Sequence, residues 1–451
     1  MAMRTHPIPL RLQLHFDPLI QLARDHFEGL DDLRRCPSIS LPDALMAGFA
    51  MFSLKDPSLL AFQRRTLDHN LQTVFGLQSI PSDTQLRTIL DAVDPADVRP
   101  VFKGIFNQLE ERKVLDDYRI LGGHYLVALD GVEYFSSKSV HCDNCQTRNH
   151  ANGTRTYCHQ MLGAVLVHPD HSEVIPLAPE PIQRQDGAGK NDCERNAARR
   201  WLQRFREDHP DLKVIVTEDG LSSNAPHIRD LEAAKVSYIL GVKPGDHKYL
   251  FERLSERLEV GDVVQVEDRD AKTGVVRSYI IATDMGINEA NQDVLVTVVH
   301  FVETDAKGKT KQWTWVTDLD VTADNVREVA RAGRARWRIE NETFNTLKNQ
   351  GYHYEHNYGH GENNLSVVLA MLMMLAFLVD QVQQRANSIF QEALKKKGAK
   401  CALWESMRQL FASFEVTSME DIYRAMAFGF ERPRLGALVR DPGSSDPGNS
   451  S

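Results

Sequence analysis

The chain has 451 residues, 42% apolar and 25% charged, enough to bury a sizeable core in roughly two to four folding units. A net charge of −9 excludes a wholly basic nucleic-acid-coating protein but leaves room for local basic surfaces. Six cysteines, three of them within residues 142–158, follow a start, "MAMRTHPIPLRLQLHFD", with no apolar signal segment, which points to metal binding rather than a disulfide framework and to a cytosolic setting.

Residues 1–115 alternate apolar helical stretches with turn signals. In "SIPSDTQLRTILDAVDPADV", Ser82 or Asp83 can cap a helix that Asp94-Pro95 ends, so a helical N-terminal domain is predicted. Residues 116–246 open with "HYLVALDGVEYF", an apolar strand ending at Asp130-Gly131, followed by strands in "CHQMLGAVLVHPD" and "EVIPLAPEPI". The helix "KNDCERNAARRWLQRFREDHP", the strand "LKVIVTEDG", the helix "NAPHIRDLEAAK" and the strand "VSYILGVKP" complete the series. Three hairpin-linked strands and then alternating helix and strand predict an α/β, ribonuclease-H-like core.

Residues 247–325 change character: "DVVQVED", "VVRSYIIATD", "DVLVTVVHFVE" and "KQWTWVTDL" all read as strands of a β-rich insertion. Helix resumes over 326–385, the last part of the core. There the apolar run of residues 365–379 stops at Asp380, is short for a bilayer span and reads as a buried core helix, so no membrane partner is expected. Residues 386–437 read as a helical C-terminal region, and 438–451, with "RDPGSSDPGNSS", as a disordered tail.

Asp130 and Asp219 each close an apolar strand and precede a glycine. Carboxylates at such strand ends point to where open α/β sheets bind substrates; with a third acid on a helix they suit Mg²⁺ or Mn²⁺. Two such ions, about 4 Å apart, activate an attacking oxygen and stabilise a leaving one. The alternative is that each Asp-Gly is only a turn. Glu133 and Glu218 compete at the same strand ends, and Glu218 should face away from Asp219.

The third acid is sought in "RARWRIENETFNTLKNQGY", residues 334–352. On an α-helix Arg336, Glu340, Phe344 and Lys348 form one stripe and Glu342 faces elsewhere. Six Lys or Arg stand against three acids over residues 327–348, and six against two over 190–206. Either run can meet phosphates or simply be a solvated helix face.

These motifs resemble an insertion-sequence DDE transposase of the subgroup marked by a Tyr-Arg-Glu-Lys (YREK) signature. The resemblance runs from "ALDGVEYF" through "VTEDGL" to "WTWVTDLDVTADNVREVARAGRARWRIENETFNTLK". It implies Asp130, Asp219 and Glu340 as the three catalytic, metal-holding acids, with two Mg²⁺ or Mn²⁺ ions. It also implies Arg336, Arg338 and Lys348 on DNA, N-terminal helices that read the element's ends, and a homodimer assembled on double-stranded DNA. In that family an aromatic of the β insertion stacks on a flipped base; Trp313 and Trp315 are the candidates, and packing inside the insertion is the alternative. Gly333 stands where the signature has tyrosine, and Lys348 falls one residue late, which leaves Glu342 open as the third acid. A ribonuclease-H-like endonuclease without strand transfer, or an inactive domesticated DNA-binding protein, are the other readings.

In "HCDNCQTRNHANGTRTYCH", residues 141–159, Cys142 and Cys145 can form half of a tetrahedral structural zinc site. Cys158, His159, His150 and His141 are available for the rest; Cys158 and His159 alternate along a strand, so only one should ligate. Free thiols in a loop are the alternative. "GYHYEHNYGHG", with His353, His356 and His360, is expected to be a loop or DNA-contacting turn rather than a second metal site. "QDGAGKN" lacks the first glycine and final Ser or Thr of a phosphate-binding loop, so no nucleotide cofactor is expected.

Overall fold

The structure is a computed structural model that describes residues 13–65, 68–183 and 193–431. The "QDGAGKN" segment and the 438–451 tail lie outside the described residues.

Six helices come first: α1 (Phe16–Glu28), α2 (Leu41–Ser53), α3 (Leu59–Gln63), α4 (His69–Phe75), α5 (Asp83–Asp91) and α6 (Arg99–Glu111). Ser82 caps α5 through a reciprocal box with Gln85. The strands β1 (Arg119–Ile120), β2 (His124–Ser137), β3 (Gln146–Asn149), β4 (Arg155–Val167), β5 (Ile175–Pro176) and β6 (Glu180–Ile182) lead to α7 (Glu194–Asp208). β7 (Val214–Glu218), α8 (Ala225–Ala233), β8 (Ser237–Gly241) and α9 (Lys248–Glu259) follow. Then come β9 (Val264–Arg269), β10 (Val276–Asn288), β11 (Asn291–Thr304), β12 (Thr310–Thr317) and α10 (Val326–Ala335). After a π-helical turn, Ile339–Phe344, the chain forms α11 (Asn345–Asn349), α12 (Leu365–Ala386), α13 (Ser388–Lys397), α14 (Lys400–Ser413) and α15 (Met419–Phe428).

One large mixed sheet organises this α/β protein, in the order β3-β4-β2-β7-β8-β12-β11-β10-β9. β4 runs antiparallel to β2, and β7 and β8 run parallel to it. The centre of β2, Tyr125 to Leu129, and all of β7 are buried, as strands covered on both faces must be. The insertion does not form a separate sheet: β12 pairs with β8 and carries the antiparallel strands onward. Its reading as all strand needs correction, because α9 precedes β9 and packs on β10. Leu250 and Leu254, four apart and both buried, hold that helix by a single narrow stripe, too weak a period to stand out among charged neighbours.

α12 is the central helix, and every residue but Arg385 is buried. It runs through Asp380 to Ala386, seven residues beyond the apolar run, because Asp380 is paired inside the protein rather than solvated. It is long and apolar enough to cross a membrane, yet it is wholly enclosed by protein. The N-terminal helices α2 and α5 pack along it, so distant parts of the chain share one core.

Candidate functional site

The placement of Asp130 at a strand end is corrected: β2 continues through Gly131 to Ser137 because β4 goes on pairing with it. What ends near Asp130 is the parallel pairing with β7, whose last partners are Ala128 and Thr217. Two residues further along each strand are Asp130 and Asp219, so the two aspartates stand level where β7 gives out. Asp219 also turns the chain, its Oδ1 accepting from the Leu221 N–H at 2.9 Å.

Across from Asp130 on β4 stands Gly163. A side chain there would collide with the ring of Phe344, 2.8 Å from an added Cβ, and would touch Ile339 at 3.5 Å. The missing side chain lets the turn carrying Glu340 lie flat on the sheet beside Asp130. Arg336 closes the arrangement, donating to Asp130 Oδ2 at 3.2 Å and to Glu340 Oε1 at 2.5 Å. The uniform α-helical stripe is corrected here, because Ile339–Phe344 is a π turn with i→i+5 bonding. Glu342 lies apart, 3.8 Å from Arg338.

A fourth carboxylate went unforeseen. Glu194, in the first turn of α7, reaches over Gly131 from the other face of the sheet, its carboxylate filling the space a side chain there would take. Partial desolvation, and then the charges of Asp219 and Glu218, raise its pKa. Its one legible signal was a place at the start of the helix after the third strand. Glu218 is buried and pairs with His227 of α8 at 3.0 Å, which makes it part of the support behind the site.

Asp130 feels the whole cluster. Burial, and then Glu340, Glu194 and Asp219 set against the one guanidinium of Arg336, push its carboxyl up to about 7. Carboxylates crowded about Asp130 are a donor set suited to a hard, oxygen-seeking divalent cation. The linkage has a definite sign: between the unfolded value and about 7 the folded chain binds more protons, so the Asp130 contribution to stability falls as pH rises through that window. Melting of cation-free protein from pH 4 to 8 should therefore show wild type losing ground steadily to Asp130→Asn. A difference independent of pH would remove this account of Asp130.

The other candidates scatter. Lys348 is not brought to the acids; it pairs with Glu355 at 2.7 Å, since the π turn ends the even helical stripe before α11. Arg338 anchors a loop by donating to the Pro169 carbonyl at 2.8 Å. Trp315 is 4% exposed, with its indole packed on Gly333, which leaves no face for a base. Trp313, on the same strand, is half-buried between Phe301, with ring centres 5.4 Å apart, and Arg334, 4.6 Å above it. Of the 190–206 run, Arg200 and Arg204 bind the fully buried Glu180 at 2.9 and 2.8 Å, and Arg206 donates to the carbonyls of Leu212, Ala234 and Lys235. That helix spends these charges inside the fold.

Cys142 and Cys145 meet His159 of β4, with each sulfur 3.5 Å from its Nε2. Of Cys158 and His159 only the histidine joins, as their alternation along the strand implied, but the fourth neighbour lies outside the 141–159 segment expected to supply it. It is His360 from the loop before α12, with Nε2 3.3 Å from Cys145 Sγ, and it is not Cys158, which faces Glu133 and Arg148. Chain folding, not local spacing, joins residues more than two hundred positions apart.

The chain matches the family described as a transposase DDE domain over residues 136–378, more than half its length; Asp219 and Glu340 fall inside that span and Asp130 lies six residues before it. A cryo-EM structure of a piggyBac transposase synaptic complex with hairpin DNA aligns with 93% of this chain and 82% of that one, at 10% identity and a TM-score of 0.42. No curated protein matches.

Proposed function

The chain belongs to the transposase DDE domain family, and from that premise we propose that it binds the terminal inverted repeats of its own element, cleaves phosphodiester bonds there and joins the freed 3′-OH ends to target DNA. The observation that carries this reading is Arg336 bridging Asp130 and Glu340, with Asp219 level with Asp130 where the β2–β7 pairing ends. A ribonuclease-H-like core over 116–246 and 326–385 is supported by the antiparallel β2, β4 and β6 followed by β7 and β8 parallel to β2. The YREK subgroup is supported by two local facts. A π turn over Ile339–Phe344 inserts one extra residue, the length of the Lys348 delay, while Lys348 itself pairs with Glu355 rather than with the acids. The place of the signature tyrosine, Gly333, is filled by the indole of Trp315.

Divalent cations, two Mg²⁺ or Mn²⁺, when bound supply activation of the attacking oxygen and charge for the leaving one. Asp130, Asp219 and Glu340 would hold them, with Glu194 beside them. Arg336 neutralises part of the acid cluster and stands where a bound phosphate would meet its planar donors. Arg327, Arg331 and Arg334 of α10, the helix before Arg336, stand in partly exposed pairs with Asp268, Asp170 and Glu303. Such pairs contribute little, about 0–1 kcal/mol, so phosphates can displace them. Trp337, 61% exposed, and Leu221, 73% exposed, add an apolar rim beside Arg336 and Asp219. The helices of residues 1–115 would read the end sequence, and synapsis of two ends calls for two protomers.

Incubating the full chain with labelled duplex carrying the repeats that flank its gene should give Mg²⁺- or Mn²⁺-dependent nicks with 3′-OH ends, and joined products when target DNA is added. Sequence-specific binding with no cutting in either cation would overturn the proposal. Trp313, whose ring is uncovered if Arg334 swings to a phosphate, is the base-stacking candidate that remains. Trp313→Ala should weaken the cleaved-end complex by about 1–3 kcal/mol in a gel-shift titration, and an unchanged affinity would return Trp313 to the insertion's own packing.

A further inference from the structure

We propose that Cys142, Cys145, His159 and His360 hold a structural zinc ion that staples the strand of Asp130 to the segment following Glu340. The four ligand atoms lie within 4.8 Å of one another, and all four residues are buried. With zinc–sulfur bonds of about 2.3 Å and zinc–nitrogen bonds of about 2.0–2.1 Å, a tetrahedron places its sulfurs about 3.8 Å apart and each sulfur about 3.5 Å from each nitrogen. The separations here are 3.9 Å between the sulfurs, 3.5 Å from each sulfur to His159 and 3.3 Å from Cys145 to His360. Two soft thiolates and two imidazoles in this geometry select zinc over the hard cations suited to the acid cluster.

The surroundings are built to hold the ligands still. The Cys142–Cys145 turn is closed by the Cys145 N–H donating to the Cys142 carbonyl at 3.2 Å, while the Cys142 N–H points at Cys145 Sγ at 3.5 Å. The ring of Phe135 packs on both imidazoles, with centres 4.4 Å from His360 and 5.9 Å from His159. The loop bringing His360 is fixed from two sides. Asn144, between the two cysteines, donates to the Asn363 carbonyl at 3.0 Å, and Asp91 accepts from the N–H groups of Glu362, Asn363 and Leu365.

All four positions of the tetrahedron belong to protein and none faces solvent, so the ion has no coordination site for a substrate. Its work is positional. Cys142 follows Asp130 by 12 residues and His360 follows Glu340 by 20, so one ion ties the chain just past two of the acids into one knot. Because the site exists only in the folded chain, its binding free energy is folding free energy. The inference needs only the fold and survives if the proposed transposase chemistry does not.

Elemental analysis of full-length protein, purified without chelators and with zinc in the growth medium, should find one zinc per chain. Cys145→Ser and His360→Ala should lose it, and Cys158→Ser and His356→Ala should keep it. Should the ligand variants fail to fold, wild type grown in cobalt should show the absorption of tetrahedral, thiolate-bound Co²⁺. Stripping the metal should lower the melting midpoint, with recovery on adding Zn²⁺ and none on adding Mg²⁺. Substoichiometric zinc, a Cys142–Cys145 disulfide in the purified chain, or loss of zinc in Cys158→Ser with retention in His360→Ala would overturn the assignment.

Discussion

Asp219→Asn and Glu340→Gln should each abolish DNA cleavage while leaving binding to the element's ends within a fewfold of wild type, as an electrophoretic cleavage and gel-shift comparison would read. Each replacement keeps the side chain's size and removes one anionic oxygen donor from the cluster around Asp130. Loss of a carboxylate that positions catalytic cations forfeits several kcal/mol of transition-state stabilisation, and about 4 kcal/mol is already a thousandfold in rate. End binding should survive, because protein–DNA affinity is carried mainly by phosphate contacts that neither substitution removes. Glu342→Gln is the internal control: its carboxylate lies toward Arg338 at 3.8 Å, away from Asp130, and its loss should change cleavage by less than about tenfold. A dead Glu342→Gln beside an active Glu340→Gln would move the third acid by two residues and break the link drawn through Arg336 and Gly163.

Lys55→Met should destabilise the whole protein by about 3–5 kcal/mol, as breaking a buried ion pair does. Lys55 is 2% exposed and its Nζ lies 2.6 Å from Asp380 in the middle of the central helix. Tyr352 donates to the same oxygen of that carboxylate, Oδ2, at 2.6 Å, and the ammonium sits 4.3 Å above the Trp404 ring. Burial raises Asp380 and lowers Lys55, so each depends on the other to stay charged. The cluster joins the end of α2, the loop after α11, α12 and α14. Removing the lysine strands a carboxylate in the core, whereas Lys55→Met with Asp380→Leu removes both charges and should regain most of the loss. Denaturant unfolding of the three proteins measures this. A single variant within about 1 kcal/mol of wild type would mean that water reaches the site and that the pair holds nothing together.

What could be read in the chain depended on how far apart the cooperating residues lie. Asp130 and Asp219 each come at the end of an apolar run whose composition marks a buried strand, so both could be assigned to one site before any coordinates, although β2 itself continues past Asp130. The preference for Glu340 over Glu342 rested on a helical stripe, and the structure keeps its first step, Arg336 to Glu340, through side-chain pairing. Of its later members, Phe344 still lies on the sheet at Gly163 while Lys348 turns to Glu355, and the π turn between them leaves no clear mark in composition. Glu194 and His360 could not be assigned locally, because each gains its place from chain segments that only the fold brings near. The basic run in α7 misled for a related reason. Net charge along a helix does not disclose a buried partner such as Glu180, which sits 20 and 24 residues before the arginines it binds. α9 escaped notice because only Leu250 and Leu254 of its face are buried.

The most direct test of the account is to locate manganese by anomalous diffraction in crystals of the chain bound to its own element ends. The account predicts density bounded by the carboxylates of Asp130, Asp219 and Glu340, with the Arg336 guanidinium moved off Asp130 toward a phosphate. Manganese held by Glu342, or none within reach of Asp130, would contradict it.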